Sequence, residues 1–180
     1  MSRIPPVDPA AAPGPVQQIL EGVQRSLGAK PNLFRVTANS QAALEGLTGL
    51  FGALAKGHFS AREREAIALA VSELNGCSYC LSAHAALGKV AGLTVLDIEQ
   101  ARSGEASDPR LAAALRLARQ IVETRGHVSE RAVTEARRAG LGDAELVEVV
   151  AHVGLTTLTN YLNEVAATDI DFPVVRLRAA

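Results

Sequence analysis

Cys77 and Cys80 are the only cysteines in a chain of 180 residues, and His84 follows the second by four positions. Two thiols at that spacing can close a disulfide, and an imidazole one helical turn further on can take or return a proton. The run Cys77-Ser78-Tyr79-Cys80 begins where Asn75-Gly76 closes one helical pattern and another opens. Unpaired backbone N–H groups at a helix start favour an anion, so a thiol placed there is acidified. An ordinary thiol, with pKa of about 8.5, is mostly protonated at neutral pH. Lowered to about 6.5, it would be mainly thiolate, the nucleophile that peroxide attack or disulfide exchange needs.

On a helix starting at Cys77, positions 77, 80, 84 and 88 share one face, and Gly88 leaves room on it for an approaching group. A carboxylate would complete the relay by orienting His84 and holding its proton. The preceding helix, antiparallel across the Asn75-Gly76 turn, offers Glu63, Glu65 and Glu73. Counting residues about the turn places Glu73 near Cys80 and Glu65 roughly one turn beyond His84. The spacing alone leaves that choice open.

The elements that must hold these residues read as helices throughout. Residues 1–15, with Pro5, Pro6, Pro9, Pro13 and Pro15, form a flexible Pro/Ala-rich arm, followed by a single domain over 16–180. Apolar spacing and terminal signals predict a helix over Val16–Leu27, a connector at residues 31–34, and a helix over Ser40–Lys56. Ser60 with Glu63 forms a capping box opening the helix that ends at Asn75-Gly76. The cysteine helix ends near Gly92. Thr94 with Asp97, Asp108-Pro109, Ser129 and Asp143 start four more. No segment alternates as a strand does, so the expected class is all-α, a bundle of about eight helices.

Composition agrees. The chain is 48% hydrophobic but only 3% aromatic, so small aliphatic side chains carry the packing, which suits closely spaced helices. The balance of 18 basic and 19 acidic residues, with no basic stripe, gives nucleic acid nothing to bind. Apolar runs fall short of a membrane span, and the N-terminus lacks the apolar region of a signal peptide. The expected location is therefore cytoplasmic, with no membrane partner. In that compartment a lone pair of cysteines points to catalysis or metal rather than a structural disulfide.

A structural zinc site needs about four ligands, and no second ligand pair accompanies this one. His58, His127 and His152 are isolated and read as structural or exposed, so no metal or other cofactor is expected. Asn160, Tyr161 and Asn163 in the last helix either line a pocket or form a polar face against a neighbouring subunit.

The pattern Glu65-(x11)-Cys77-Ser-Tyr-Cys80-(x3)-His84, set in AIALAVSELNGCSYCLSAHAALGKVAGL, resembles the alkylhydroperoxidase-D-like branch of the carboxymuconolactone decarboxylase superfamily. The likeness is strongest over residues 40–125. The closing segment LTNYLNEVAATDIDFP is similar to the last helix and tail of the peroxidase-related members. The resemblance implies an all-helical subunit in dimers, trimers or hexamers that reduces hydroperoxides with its cysteine pair. It assigns Cys80 as the attacking thiol, Cys77 as the resolving one, and His84 with Glu65 as the proton relay. It also implies a small-molecule hydroperoxide substrate and an external dithiol or thiol reductant. Some members carry a second histidine between the cysteines. Here Tyr79 stands in its place, and a phenol with pKa near about 10 is no base at neutral pH. The alternatives are a decarboxylase-type enzyme of the same superfamily, whose chemistry leaves the dithiol unused, and a non-catalytic redox-sensing helical module.

Overall fold

Most helix starts are set by the local signals the sequence carries; the first helix opens at Gly14, two residues inside the expected arm, and two others depart further. The structure, a computed structural model, describes residues 2–178, among which there are nine helices and no strands. They are α1 (Gly14–Leu27), α2 (Asn32–Thr37), α3 (Gln41–Leu54), α4 (Ala61–Leu74) and α5 (Ser78–Val90). After these come α6 (Val95–Arg102), α7 (Pro109–Thr124), α8 (Glu130–Arg138) and α9 (Asp143–Ala166). Ser60 accepts from the Glu63 N–H while the Glu63 carboxylate accepts from Ser60, and Thr94 and Asp97 repeat the exchange. Asp108 and Ser129 cap α7 and α8 through the N–H groups of Leu111 and Ala132.

The first departure is α2, where a connector was expected. Six residues show no readable period, and burial makes the helix instead: Leu33, Phe34, Val36 and Thr37 are all inside. Its first-turn N–H groups find acceptors far along the chain. Asn32 donates to the Asp171 carboxylate at 2.8 Å, and Leu33 to the Tyr79 hydroxyl at 3.0 Å. The second departure is α9, whose N-cap is Gly142 rather than Asp143. The Glu145 carboxylate reaches back to the Gly142 N–H at 2.9 Å, and Asp143 pairs with Arg137.

The helix at the centre is α4, with α5, α6, α7 and α9 packed on it. Its run Ala66–Ser72 is buried without a break, as expected of a helix covered on all sides. The main core gathers Ile67, Leu69, Leu81, Ile98, Leu115 and Val149 from these helices. A second cluster joins α1, α2 and α3 to Leu155 of α9. A small third cluster holds Leu33, Cys77, Tyr79, Cys80 and Ala83, with Leu162, Ile170 and Phe172 packed against it. The two cysteines thus sit where α2, α5, α9 and the C-terminal tail meet.

Both chain ends are tied to this body. Arg3 and Ile4 donate to the Ala166 carbonyl, Val7 to the Arg35 carbonyl, and the Asn39 amide to the Pro5 carbonyl. The tail crosses α5, where Val175 N–H donates to the Ser82 hydroxyl at 3.0 Å. No helix among the described residues is long and apolar enough to cross a membrane.

Candidate active site

Cys77 is the N-cap of α5, in extended backbone, and its sulfur accepts from the Cys80 N–H at 3.3 Å. Cys80 lies in the first turn, and its sulfur accepts from the Asn163 side-chain amide at 3.2 Å. Both are buried free thiols. Their acidities diverge. The Cys77 thiol, hydrogen-bonded to the Cys80 sulfur, holds Cys80 down to about 6 against the opposing effect of burial. The charge on His84 and the Asn160 and Asn163 amides act in the same direction. That same bond, with burial, pushes the Cys77 thiol far up. Cys77 thus takes the backbone N–H at the helix start, and Cys80 takes the side-chain amide of Asn163.

His84 Nδ1 lies 2.8 Å from Glu65 Oε2, both side chains largely buried. Burial would lower the imidazole pKa, but the Glu65 charge and hydrogen bond outweigh it and the net shift is upward. Glu63 is occupied by its cap and by Arg110 at 2.7 Å. Glu73 binds Arg102 at 2.7 Å and the Arg178 N–H at 2.8 Å. Of the three candidate carboxylates, only Glu65 meets the imidazole. Counting about the turn misjudged this because α4 and α5 approach closely at Gly88. A Cβ there would stand 2.8 Å from Leu93 and 3.7 Å from the Glu65 Cβ. The space left by that glycine is taken by Leu93 and the Glu65 stem, not by a visitor.

Tyr79 is a tie. Its hydroxyl donates to Asp171 at 2.8 Å and accepts from Leu33 N–H, and its ring meets Phe172 edge-on at 5.8 Å. Burial raises its pKa further, which removes it from any proton relay.

The last helix supplies what the local motif does not contain. Thr156, Thr159, Asn160 and Asn163, at steps of three and four, are buried on one face of α9. Asn163 reaches Cys80, whereas Asn160 accepts from Asn75 and donates to Ser72. Tyr161 stands apart on the opposite, exposed face. A polar stripe at helical spacing within an otherwise apolar helix is the signal that marks Asn163.

A cavity of about 540 Å³ opens against Cys80, His84 and Glu65. Its other walls are mainly apolar, with Val23, Leu33, Phe34, Phe51, Leu87 and Phe172 among them. A smaller void of about 60 Å³ joins Glu65 and His84 to His152 of α9. His152 is buried with Nε2 unpartnered, and burial lowers its pKa. His58 is exposed and paired with Glu148 at 2.7 Å. The site therefore combines an acidified thiol, a second thiol one turn away, a histidine–carboxylate pair and an apolar chamber.

The sequence pattern of the carboxymuconolactone decarboxylase family matches residues 41–124, which hold α3 to α7 and all four motif residues. The fold is shared with the alkylhydroperoxidase AhpD core of a peroxidase-related protein from Ralstonia eutropha. That likeness has a TM-score of 0.85 at 26% identity, over 94% of this chain and 92% of the other. A peroxidase-related protein from Silicibacter sp. superposes with a TM-score of 0.78 at 27% identity, covering 92% and 88% of the two chains. The debrominase Bmp8, in complex with 2,3,4-tribromopyrrole, shares the fold alone, with a TM-score of 0.80 at 21% identity over 93% and 91%. No curated protein matches the sequence. Residues 41–124 thus match the carboxymuconolactone decarboxylase family, and the whole chain has the AhpD-like fold. The same all-α fold is found in proteins described as peroxidase-related and, at lower identity, in a debrominase.

Proposed function

We propose that this protein is a cysteine-based peroxidase that reduces organic hydroperoxides through Cys80 and Cys77. The observation that carries the reading is Cys80. Its sulfur is acidified by the Cys77 thiol, accepts from Asn163, and borders an apolar cavity it shares with the His84–Glu65 pair. A hydroperoxide with an apolar body fits that chamber, its polar end toward the thiolate.

The Cys80 thiolate attacks the terminal peroxide oxygen. An S–O bond forms as the O–O bond breaks, and the departing alkoxide takes a proton from His84, leaving as alcohol. Glu65 holds the imidazolium charge in place. Cys77 then attacks the sulfenic sulfur: an S–S bond forms, the S–O bond breaks, and hydroxide leaves as water with the Cys77 proton. Two thiols and one hydroperoxide thus give one disulfide, one alcohol and one water. Cys77 is the N-cap of α5 and its carbonyl accepts from the Leu81 N–H at 2.9 Å, so its sulfur reaches Cys80 by side-chain rotation with the helix still wound. An external dithiol or thiol system returns the disulfide to the reduced state. We place the enzyme in the cytoplasm, as a homo-oligomer.

A decarboxylase reading leaves the dithiol without a task. A redox sensor needs the thiols but not the cavity. The experiment is steady-state reduction of cumene hydroperoxide with a dithiol, counting alcohol formed. Repeated turnover with one alcohol per dithiol oxidised supports the peroxidase. A single oxidation without turnover supports a sensor.

A further inference from the structure

Among the described residues that line the large cavity, Arg64 is the only arginine or lysine. Its neighbour Glu65 is committed to His84 at 2.8 Å, so the charges of that pair answer each other. Arg64 is half-buried, and its guanidinium donates only to the Phe59 carbonyl, at 2.6 Å. No carboxylate among the described residues pairs with it. The arginines that meet the rest of this region are all matched: Arg62 by Asp97, Arg102 by Glu73 and Arg110 by Glu63. His152, across the smaller void, offers no countercharge, because burial and the Arg64 charge both lower its pKa.

A charge turned toward an apolar chamber without a countercharge is unfavourable. The planar fork of N–H groups on a guanidinium matches the two oxygens of a carboxylate, and one carbonyl leaves most of the fork unused. A ligand that fills this apolar space and carries a carboxylate supplies what the wall lacks.

We propose that the chamber takes hydroperoxides of amphipathic carboxylic acids, with the carboxylate on Arg64 and the peroxide at Cys80. The proposal rests on the peroxidase reading and names its substrate class. The position of the guanidinium sets the shape of that substrate. Arg64 reaches back to Phe59, which precedes α4, and α4 runs antiparallel to α5. The guanidinium therefore stands at the end of α4 away from the start of α5, where Cys80 lies. Glu65 lies between, meeting His84 and the backbone of Gly88. Cys80 to Gly88 is two helical turns, on the order of 10 Å. The acid group and the peroxide are thus at separate places along an apolar body, not on neighbouring carbons. Phe34, Phe51 and Leu87 line the space for that body. The carboxylate takes no part in the bond changes, and the product is the corresponding hydroxy acid.

The test compares linoleic acid hydroperoxide with its methyl ester, which differ only at the acid group. In wild type kcat/KM is larger for the acid by about tenfold or more, the contrast expected of a hydrogen bond to a charged group. Arg64→Gln removes that ratio and Arg64→Lys keeps part of it. Binding is read separately by calorimetry of dodecanoate and dodecanol with Cys80→Ser protein, which requires no turnover. Dodecanoate binds more tightly, and adding Arg64→Gln abolishes the difference. If no peroxide is turned over but dodecanoate binds through Arg64, the peroxidase reading fails and the acid site stands. Equal kcat/KM for acid and ester in wild type overturns the proposal. A preference that Arg64→Gln leaves in place does so too, as does a loss in that variant that falls equally on acid and ester.

Discussion

Asn163, on the last helix, points its side-chain amide at the sulfur of Cys80 from 3.2 Å, across 83 positions of sequence. The donor comes from outside the local cysteine motif, so the thiolate is prepared by two helices that the fold brings together. A hydrogen bond to a charged group contributes about 1.5–3 kcal/mol, which corresponds to roughly one to two pKa units. Asn163→Leu therefore raises the Cys80 pKa by about that much, with fold retained. The pH dependence of iodoacetamide alkylation measures it, in a Cys77→Ser reference that leaves one thiol.

The reactivity of wild-type Cys80 rises with pH through about 6 and is near its plateau at neutral pH. The sign for stability is the same. A depressed folded pKa stabilises the native state fully above the unfolded thiol value and loses that contribution as pH falls through about 6. His84 runs the other way. Its raised pKa stabilises the fold below about 6.5 and ceases to do so as pH climbs through the folded value. Glu65→Gln removes the partner that raises it, so the His84 midpoint, followed by NMR of the imidazole C–H, falls. The same variant slows the peroxide reaction at neutral pH.

Gly52 borders the cavity, and a Cβ there meets nothing within 4 Å. Gly52→Leu puts a side chain into the chamber without a clash at its root. The expected outcome is a preference for cumene hydroperoxide over hydrogen peroxide that falls by about tenfold or more, as pocket methylenes contribute about 1–3 kcal/mol. The ratio of kcat/KM values for the two peroxides measures it.

Tyr79→Phe leaves the buried Leu33 N–H without its acceptor and removes one bond to Asp171. The loss is about 1–3 kcal/mol of stability. It appears as a lower urea midpoint, with α2 and the tail beginning to exchange amide protons before the core does.

The sequence exposed the parts of this site that are local. Ser60 with Glu63, Thr94 with Asp97, and Asp108-Pro109 announce helix starts because caps act over three or four residues. The spacing of Cys77, Cys80 and His84 on one face followed from the helical period. What the sequence hid is what distance in the chain separates. The caps of α2 come from Asp171 and Tyr79, so residues 31–34 read as a connector. The crossing of α4 and α5 at Gly88 decides that Glu65 rather than Glu73 meets His84. The donor that reaches the Cys80 sulfur comes from Asn163 on the last helix, which cannot be counted along the chain. The family likeness had assigned Glu65 and Cys80 where counting could not.

The most direct test of the central claim mixes reduced protein with a slight excess of cumene hydroperoxide and follows thiol loss in wild type, Cys77→Ser and Cys80→Ser. The account predicts rapid loss of two thiols per peroxide in wild type. It predicts a trappable sulfenic acid at Cys80 in Cys77→Ser, and no fast reaction in Cys80→Ser. Oxidation of wild type no faster than that of a free small-molecule thiol would contradict it.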